Sequence, residues 1–267
     1  MSEVSRRFSG VGRVYGEDAL ARFQAARICV VGLGGVGSWA AEALARSSIG
    51  RITLIDLDMA AESNVNRQIH ALGDAFGRSK TSLMAERIRA IHPGCAIEEI
   101  EDFVTPDNLD AFFGGGFDFV IDAIDQLSVK ADMIAWCKDH AVPIITTGGA
   151  GGRVDPARIN VADLAGTFQD PLLSKLRMLL RRDYADRGFP RGAKEFGVPA
   201  VFSHEAIRRP AREETACAAP LLKGLSCVGY GSSVCVTASF GFFAAGEVLR
   251  RLAFENPPNA LPAGRKF

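Results

Sequence analysis

Residues 30–68 read VVGLGGVGSWAAEALARSSIGRITLIDLDMAAESNVNRQ, and the fold turns on this stretch. The apolar run Ile28, Cys29, Val30 and Val31 suits a strand buried on both faces of a parallel sheet. Gly32, Gly34, Gly35 and Gly37 then lead into a helix-forming stretch, and glycine permits both a sharp turn and close approach of backbone to a ligand. A helix start offers an anion free N–H groups and the positive end of its dipole. Asp56 closes the next apolar run, Ile52 to Ile55, where a carboxylate can accept the hydroxyls of a ribose. Taken alone, the turn fits a dinucleotide, a nucleoside triphosphate or a purely structural bend.

The polar residues that follow separate these readings. Asp58, Asn64, Asn66, Arg67 and Gln68 come after the strand end, and Lys80 lies 13 residues beyond Arg67 at the start of a helix expected over 79–91. Two cations beside a glycine turn can hold a triphosphate and offset charge growing on a departing pyrophosphate, which hydride transfer does not require. Asp122 and Asp125, in the run VIDAID, put two more carboxylates at the end of a buried strand. Such carboxylates can hold Mg²⁺, which keeps several waters and bridges phosphate oxygens. The pattern points to adenylation by ATP.

Strands expected near 27–32, 51–56, 96–101, 117–122 and 142–147 alternate with helices near 37–47, 79–91, 106–113 and 127–140. That order predicts an α/β, Rossmann-like, doubly wound and mainly parallel sheet. Its nucleotide-binding core spans about 20–152, and the glycines at 148, 149, 151 and 152 read as a loop passing close to substrate. A loop-rich substrate-side crossover region follows over about 153–225, then a core helix over about 231–252 and a tail, 257–267, expected to be disordered. The apolar stretch from Val234 to Leu252 is interrupted by Glu247 and weakened by Gly241 and Gly246, so a core helix is expected there, not a membrane span.

The GLGGVG turn, Asp56-x-Asp58, Asn64-x-Asn66-Arg67-Gln68, Lys80 and the DAID run resemble the adenylating domain of the ubiquitin-activating superfamily, whose bacterial members include ThiF and MoeB. The resemblance covers nearly the whole chain, which reads as a single ThiF-type domain over 1–267. EDFVTPDN and TTGGAGGRVDP draw it toward the branch that dehydrates threonylcarbamoyladenosine in tRNA. It implies that Gly32, Gly34, Gly35 and Gly37 line the nucleotide, that Asp56 holds the ribose, and that Asn66, Arg67 and Lys80 contact phosphates. Asp125 matches the aspartate implicated in Mg²⁺ binding and adenylation, with Asp122 its neighbour. It further implies a homodimer in which an N-terminal arginine, here Arg13, reaches the partner's ATP. Adenylation of the C-terminus of a small sulfur-carrier protein is the alternative that the superfamily leaves open, as is a cysteine-desulfurase or sulfur-acceptor system as partner.

Relatives of the ThiF and MoeB kind carry two Cys-x-x-Cys pairs for a structural zinc, whereas Cys29, Cys95, Cys137, Cys217, Cys227 and Cys235 never fall in that spacing, so no zinc is expected. Cys29 and Cys137 read as small buried hydrophobes, and Cys217 and Cys227 flank a loop where a thiolate could meet an acyl adenylate. Free cysteines without a signal peptide favour a cytoplasmic setting. The 31 basic and 31 acidic residues leave no net field, but residues 175–194 hold seven basic side chains against two acidic. Lys175, Arg177, Arg181 and Arg182, with a second cluster at Arg208 and Arg209, form a candidate patch for RNA phosphates.

Overall fold

The computed structural model describes residues 3–208 and 230–255. The expected tail, together with Arg209, Cys217 and Cys227, lies outside the described residues. Seven strands form one sheet in the order β3-β2-β1-β4-β5-β7-β6. These are β1 (Arg27–Val31), β2 (Arg51–Ile55), β3 (Ala96–Ile100), β4 (Phe119–Asp122), β5 (Ile144–Thr147), β6 (Ile159–Asp163) and β7 (Pro199–Ser203). Every neighbouring pair is parallel except β6 with β7. The central strands β4 and β5 are buried at every position, including the polar Asp122, Thr146 and Thr147, while edge strand β3 carries the exposed Glu98 and part-exposed Glu99.

Helices cover both faces. On one side α2 (Glu17–Ala25), α3 (Gly37–Arg46), α4 (Lys80–Ile91) and α8 (Val234–Phe254) contribute to a core around Phe23, Leu44, Met84 and Phe240. On the other, α5 (Leu109–Phe113), α6 (Leu127–Asp139) and α7 (Pro171–Asp183) pack Phe113, Met133, Leu176 and Phe189. A further N-terminal helix, α1 (Glu3–Tyr15), lies against α2. Among the described residues no helix is long and apolar enough to cross a membrane; the expected core helix is α8, whose buried face packs on α3 and α2.

Region 153–225 holds two strands that sequence reading did not foresee. β6 and β7 extend the sheet beyond β5 and bracket α7, with loops between them. Two further helices, α1 and α2, were also unforeseen at the N-terminus.

The glycine turn is built as its composition demands. Gly32 has φ +86°, open to glycine and strained for other residues, and a side chain at Gly37 would place Cβ 1.8 Å from the Gly32 carbonyl oxygen. Gly37 thus lets α3 start hard against β1. From β1 the chain continues through α3 to β2 on one side, while β4 lies on the other. This is the reversal of strand order at which α/β sheets open a crevice beyond their C-terminal ends.

Candidate functional site

A cavity of about 390 Å³ opens at that crevice. Its walls bring together Gly32, Gly34, Gly35, Asp56, Asp58, Asn64, Arg67, Gln68, Lys80 and Asp125. Residues separated by nearly a hundred positions meet because β1, β2 and β4 all end there.

Asp56 ties the turn to the sheet: its carboxylate accepts the Leu33 N–H at 2.6 Å through one oxygen and the Asp58 N–H at 2.8 Å through the other. Burial raises its pKa above the ordinary carboxylate value, opposed by the charge of Lys80 and by those two N–H groups. Lys80, 5% exposed, donates to Asp58 at 2.7 Å and lies 3.9 Å from Asp56. Arg67 is held from below, since its carbonyl accepts the Trp39 indole N–H at 2.9 Å. Its Nη1 donates to the Ser63 carbonyl and to Asn66 Oδ1, both at 2.8 Å. Gln68 is buried, and its Oε1 has no hydrogen-bond partner among the described residues. An unmet buried acceptor costs about 1–3 kcal/mol, and here a ligand in the cavity can meet it.

Four residues expected at the nucleotide are not on the cavity wall. Gly37 is part of the turn's packing and is absent from the cavity wall. Asn66 is exposed and donates to the Ser232 carbonyl at 3.2 Å, outside the cavity. Arg13 is exposed on α1, with its Nε on the Ser9 carbonyl, and is absent from the cavity wall. Asp122 is fully buried beneath the site: both its oxygens lie 2.9 Å from Lys130 Nζ, and Oδ2 accepts the Thr146 hydroxyl at 2.6 Å. Lys130 also donates to the Ile124 carbonyl at 2.8 Å. Asp122 is therefore the floor under the loop that presents Asp125, which is exposed on the cavity wall.

The basic patch is thinner than the sequence implied. Lys175 is exposed on α7, but Arg177 is turned onto the Thr167 hydroxyl and Arg181 sits 5.1 Å from the Phe196 ring centre. Arg182 is paired with Asp183 at 2.6 Å, and Arg208 is exposed with its Nε 3.2 Å from Glu205. Cys29 and Cys137 are buried, and burial raises both thiols' pKa, with Cys137 pushed up to about 12.

The cavity has a second half that the sequence marked only by its glycines. Thr147, Gly148, Gly149 and Gly151 line it after β5, joined by Asp170, Leu172, Ile207 and Tyr230. On the nucleotide side Phe103 and Val104, from the DFVTPDN run, complete the wall. Asp170 escaped notice, although Asp-Pro before an apolar helix is a cap signal: its carboxylate accepts the Leu173 N–H at 3.0 Å.

The profile of the ThiF family matches residues 6–264. Over 253 residues the chain is 50% identical to the tRNA threonylcarbamoyladenosine dehydratase of Escherichia coli strain K12, covering 92% of this chain and 93% of that protein. The crystal structure of the E. coli enzyme, TcdA, in complex with ATP superposes with a TM-score of 0.84 at 48% identity, covering 94% of this chain and 96% of that one. Its complex with AMP gives the same score, identity and coverage.

Replacing Lys130 by Ala leaves Asp122 buried and unpaired, a change that costs about 3–5 kcal/mol. Urea denaturation of the variant is expected to show a loss of that size; a loss below about 1 kcal/mol would mean that Asp122 is not the structural floor described.

Proposed function

The chain belongs to the ThiF family, and from that premise we propose that it is an ATP-dependent dehydratase acting on threonylcarbamoyladenosine in tRNA. The observation that carries this reading is the convergence of Asp56, Arg67, Lys80 and Asp125 on one cavity in a chain that matches a dehydratase of that name almost end to end.

The chemistry has two steps. The free carboxylate of the threonyl group attacks the α-phosphorus of ATP; a new P–O bond forms and the bond to pyrophosphate breaks. Asp56 holds the ribose, with the Gly32, Gly34 and Gly35 backbone and the α3 N-terminus facing the phosphates. Arg67 and Lys80 offset the charge on the leaving pyrophosphate. A nitrogen or oxygen of the carbamoyl group then attacks the activated acyl carbon. AMP departs with the former carboxylate oxygen, and the nucleophile's proton is released, so the nucleoside loses the elements of one water. Nucleophile and acyl carbon belong to one molecule, an advantage of roughly 7–11 kcal/mol at best, and no cysteine is required.

Asp125 is the residue that would hold Mg²⁺. Asp125 is exposed on the cavity wall, and a hard divalent cation of this kind is commonly bound through one or two carboxylates. Such an ion would supply charge neutralisation on the phosphates. Lys175, Arg182 and Arg208 are exposed cations that would contact tRNA phosphates. A tRNA substrate and buried free thiols support a cytoplasmic setting.

A homodimer fits the exposed apolar side chains Phe242 and Phe243 on α8, which a second copy would cover, and it is the arrangement in which Arg13 would meet a nucleotide. Sedimentation should give about 57 kDa, twice the 28.5 kDa chain; sedimentation as a single chain would exclude it. Asp125→Ala is expected to cut AMP release by roughly 10²–10³-fold while leaving the thermal midpoint unchanged, because Asp125 is exposed. Near-normal turnover by that variant would remove Asp125 from the mechanism.

A further inference from the structure

A buried chain of charges stands behind the second half of the cavity. Arg153 and Asp170 form an ion pair with both side chains 0% exposed, Nη1 lying 3.3 Å from Asp170 Oδ2. The same Oδ2 accepts the Gly149 N–H at 3.0 Å, while Oδ1 caps α7. Arg153 spends its other two nitrogens on carbonyls, Nε on Glu205 at 3.2 Å and Nη2 on Gln169 at 2.9 Å. Glu205 in turn accepts the Val154 and Asp155 N–H groups, both at 2.9 Å. One carboxylate thus joins the glycine loop, the start of α7 and a buried guanidinium.

This arrangement is dear for a mere brace. Apolar side chains of similar volume usually fill a core at no loss of stability compared with a buried ion pair. Gln169, a non-glycine residue, is held at φ +58°, and a Cβ at Gly148 would fall 2.2 Å from Asp170 Oδ2. Costly or strained features of this kind gather where geometry matters to function.

Strand order says which step they serve. Asp56 ends β2 on one flank of β1; Asp125 follows β4 on the other, and the 148–151 loop follows β5, one strand further out. The nucleotide's ribose and the 148–151 loop therefore occupy opposite ends of the cavity, and the loop borders the space left for the acyl acceptor.

We propose that Asp170 and Arg153 are positioning residues for the acceptor: they fix the 148–151 loop as the wall against which the threonylcarbamoyl group is held for attack on ATP and ring closure. This role rests on the dehydratase reading above. Misplacement of reacting groups by about 1 Å can cost about 10²-fold in rate, whereas ATP binding at the far end does not depend on this wall.

The test compares wild type, Asp170→Asn and Gly148→Ala. Asparagine still caps a helix but cannot accept from both Gly149 and Leu173 while facing Arg153. Gly148→Ala pushes the loop off Asp170 and leaves both buried charges in place, so it decides the matter if Asp170→Asn fails to fold. The readouts are the thermal midpoint, ATP affinity by calorimetry, and AMP release with saturating tRNA bearing threonylcarbamoyladenosine. Expected are ATP affinity within about twofold of wild type and AMP release lowered roughly 10- to 100-fold, measured well below the midpoint. Normal AMP release by a folded variant overturns the positioning role alone, as does a loss of ATP affinity that matches the loss of turnover. Absence of AMP release by the wild-type protein overturns the dehydratase reading and this role with it.

Discussion

β1 is hydrogen-bonded in parallel to β2 on one side and to β4 on the other, so the chain segments leaving their C-terminal ends must part in opposite directions. A crevice opens between them, and no side chain needs to be removed to make room for a ligand. The chain then secures the crevice with charge. Asp56 stitches the glycine turn to β2 through the Leu33 N–H, and Asp122 with Lys130 supports the loop after β4. The backbone of the glycine turn and the Asp125 carboxylate are thereby held on elements that the sheet itself fixes.

Burial sorts the acidic residues by task. Asp122 and Asp170 are enclosed and fully partnered, each with a buried cation, so they hold other groups in place. Asp58 and Asp125 are exposed at the cavity, where water or phosphate can reach them. Asp56 stands between these extremes, part-buried and bonded to two N–H groups. The same residue type is a buried brace or an accessible carboxylate according to the solvent left around it.

What could be read from the sequence was local. The strands flanking the glycine turn and the helix at Lys80 follow from runs and spacings within single motifs, whereas Asp56, Arg67, Lys80 and Asp125 meet because three strands end at one crevice. The structural part of Asp122 was hidden because the run along β4 does not reveal that Lys130, in the first turn of α6, points back beneath the strand. Arg177 and Arg181 looked like free surface charge because the Thr167 hydroxyl and the Phe196 ring that engage them are remote in sequence. The Arg153, Asp170 and Glu205 chain was invisible for the same reason, its members lying 17 and 52 residues from Arg153. β6 and β7 escaped because their antiparallel pairing interrupts the regular alternation of strand and helix.

The central claim is that this cavity dehydrates a modified nucleoside, and the most direct measurement is the mass of that nucleoside. Purified protein incubated with ATP, Mg²⁺ and tRNA carrying threonylcarbamoyladenosine should yield, after digestion, a nucleoside lighter by one water and an equal amount of AMP. An unchanged nucleoside, or AMP that forms only when a sulfur-carrier protein is added, would contradict it.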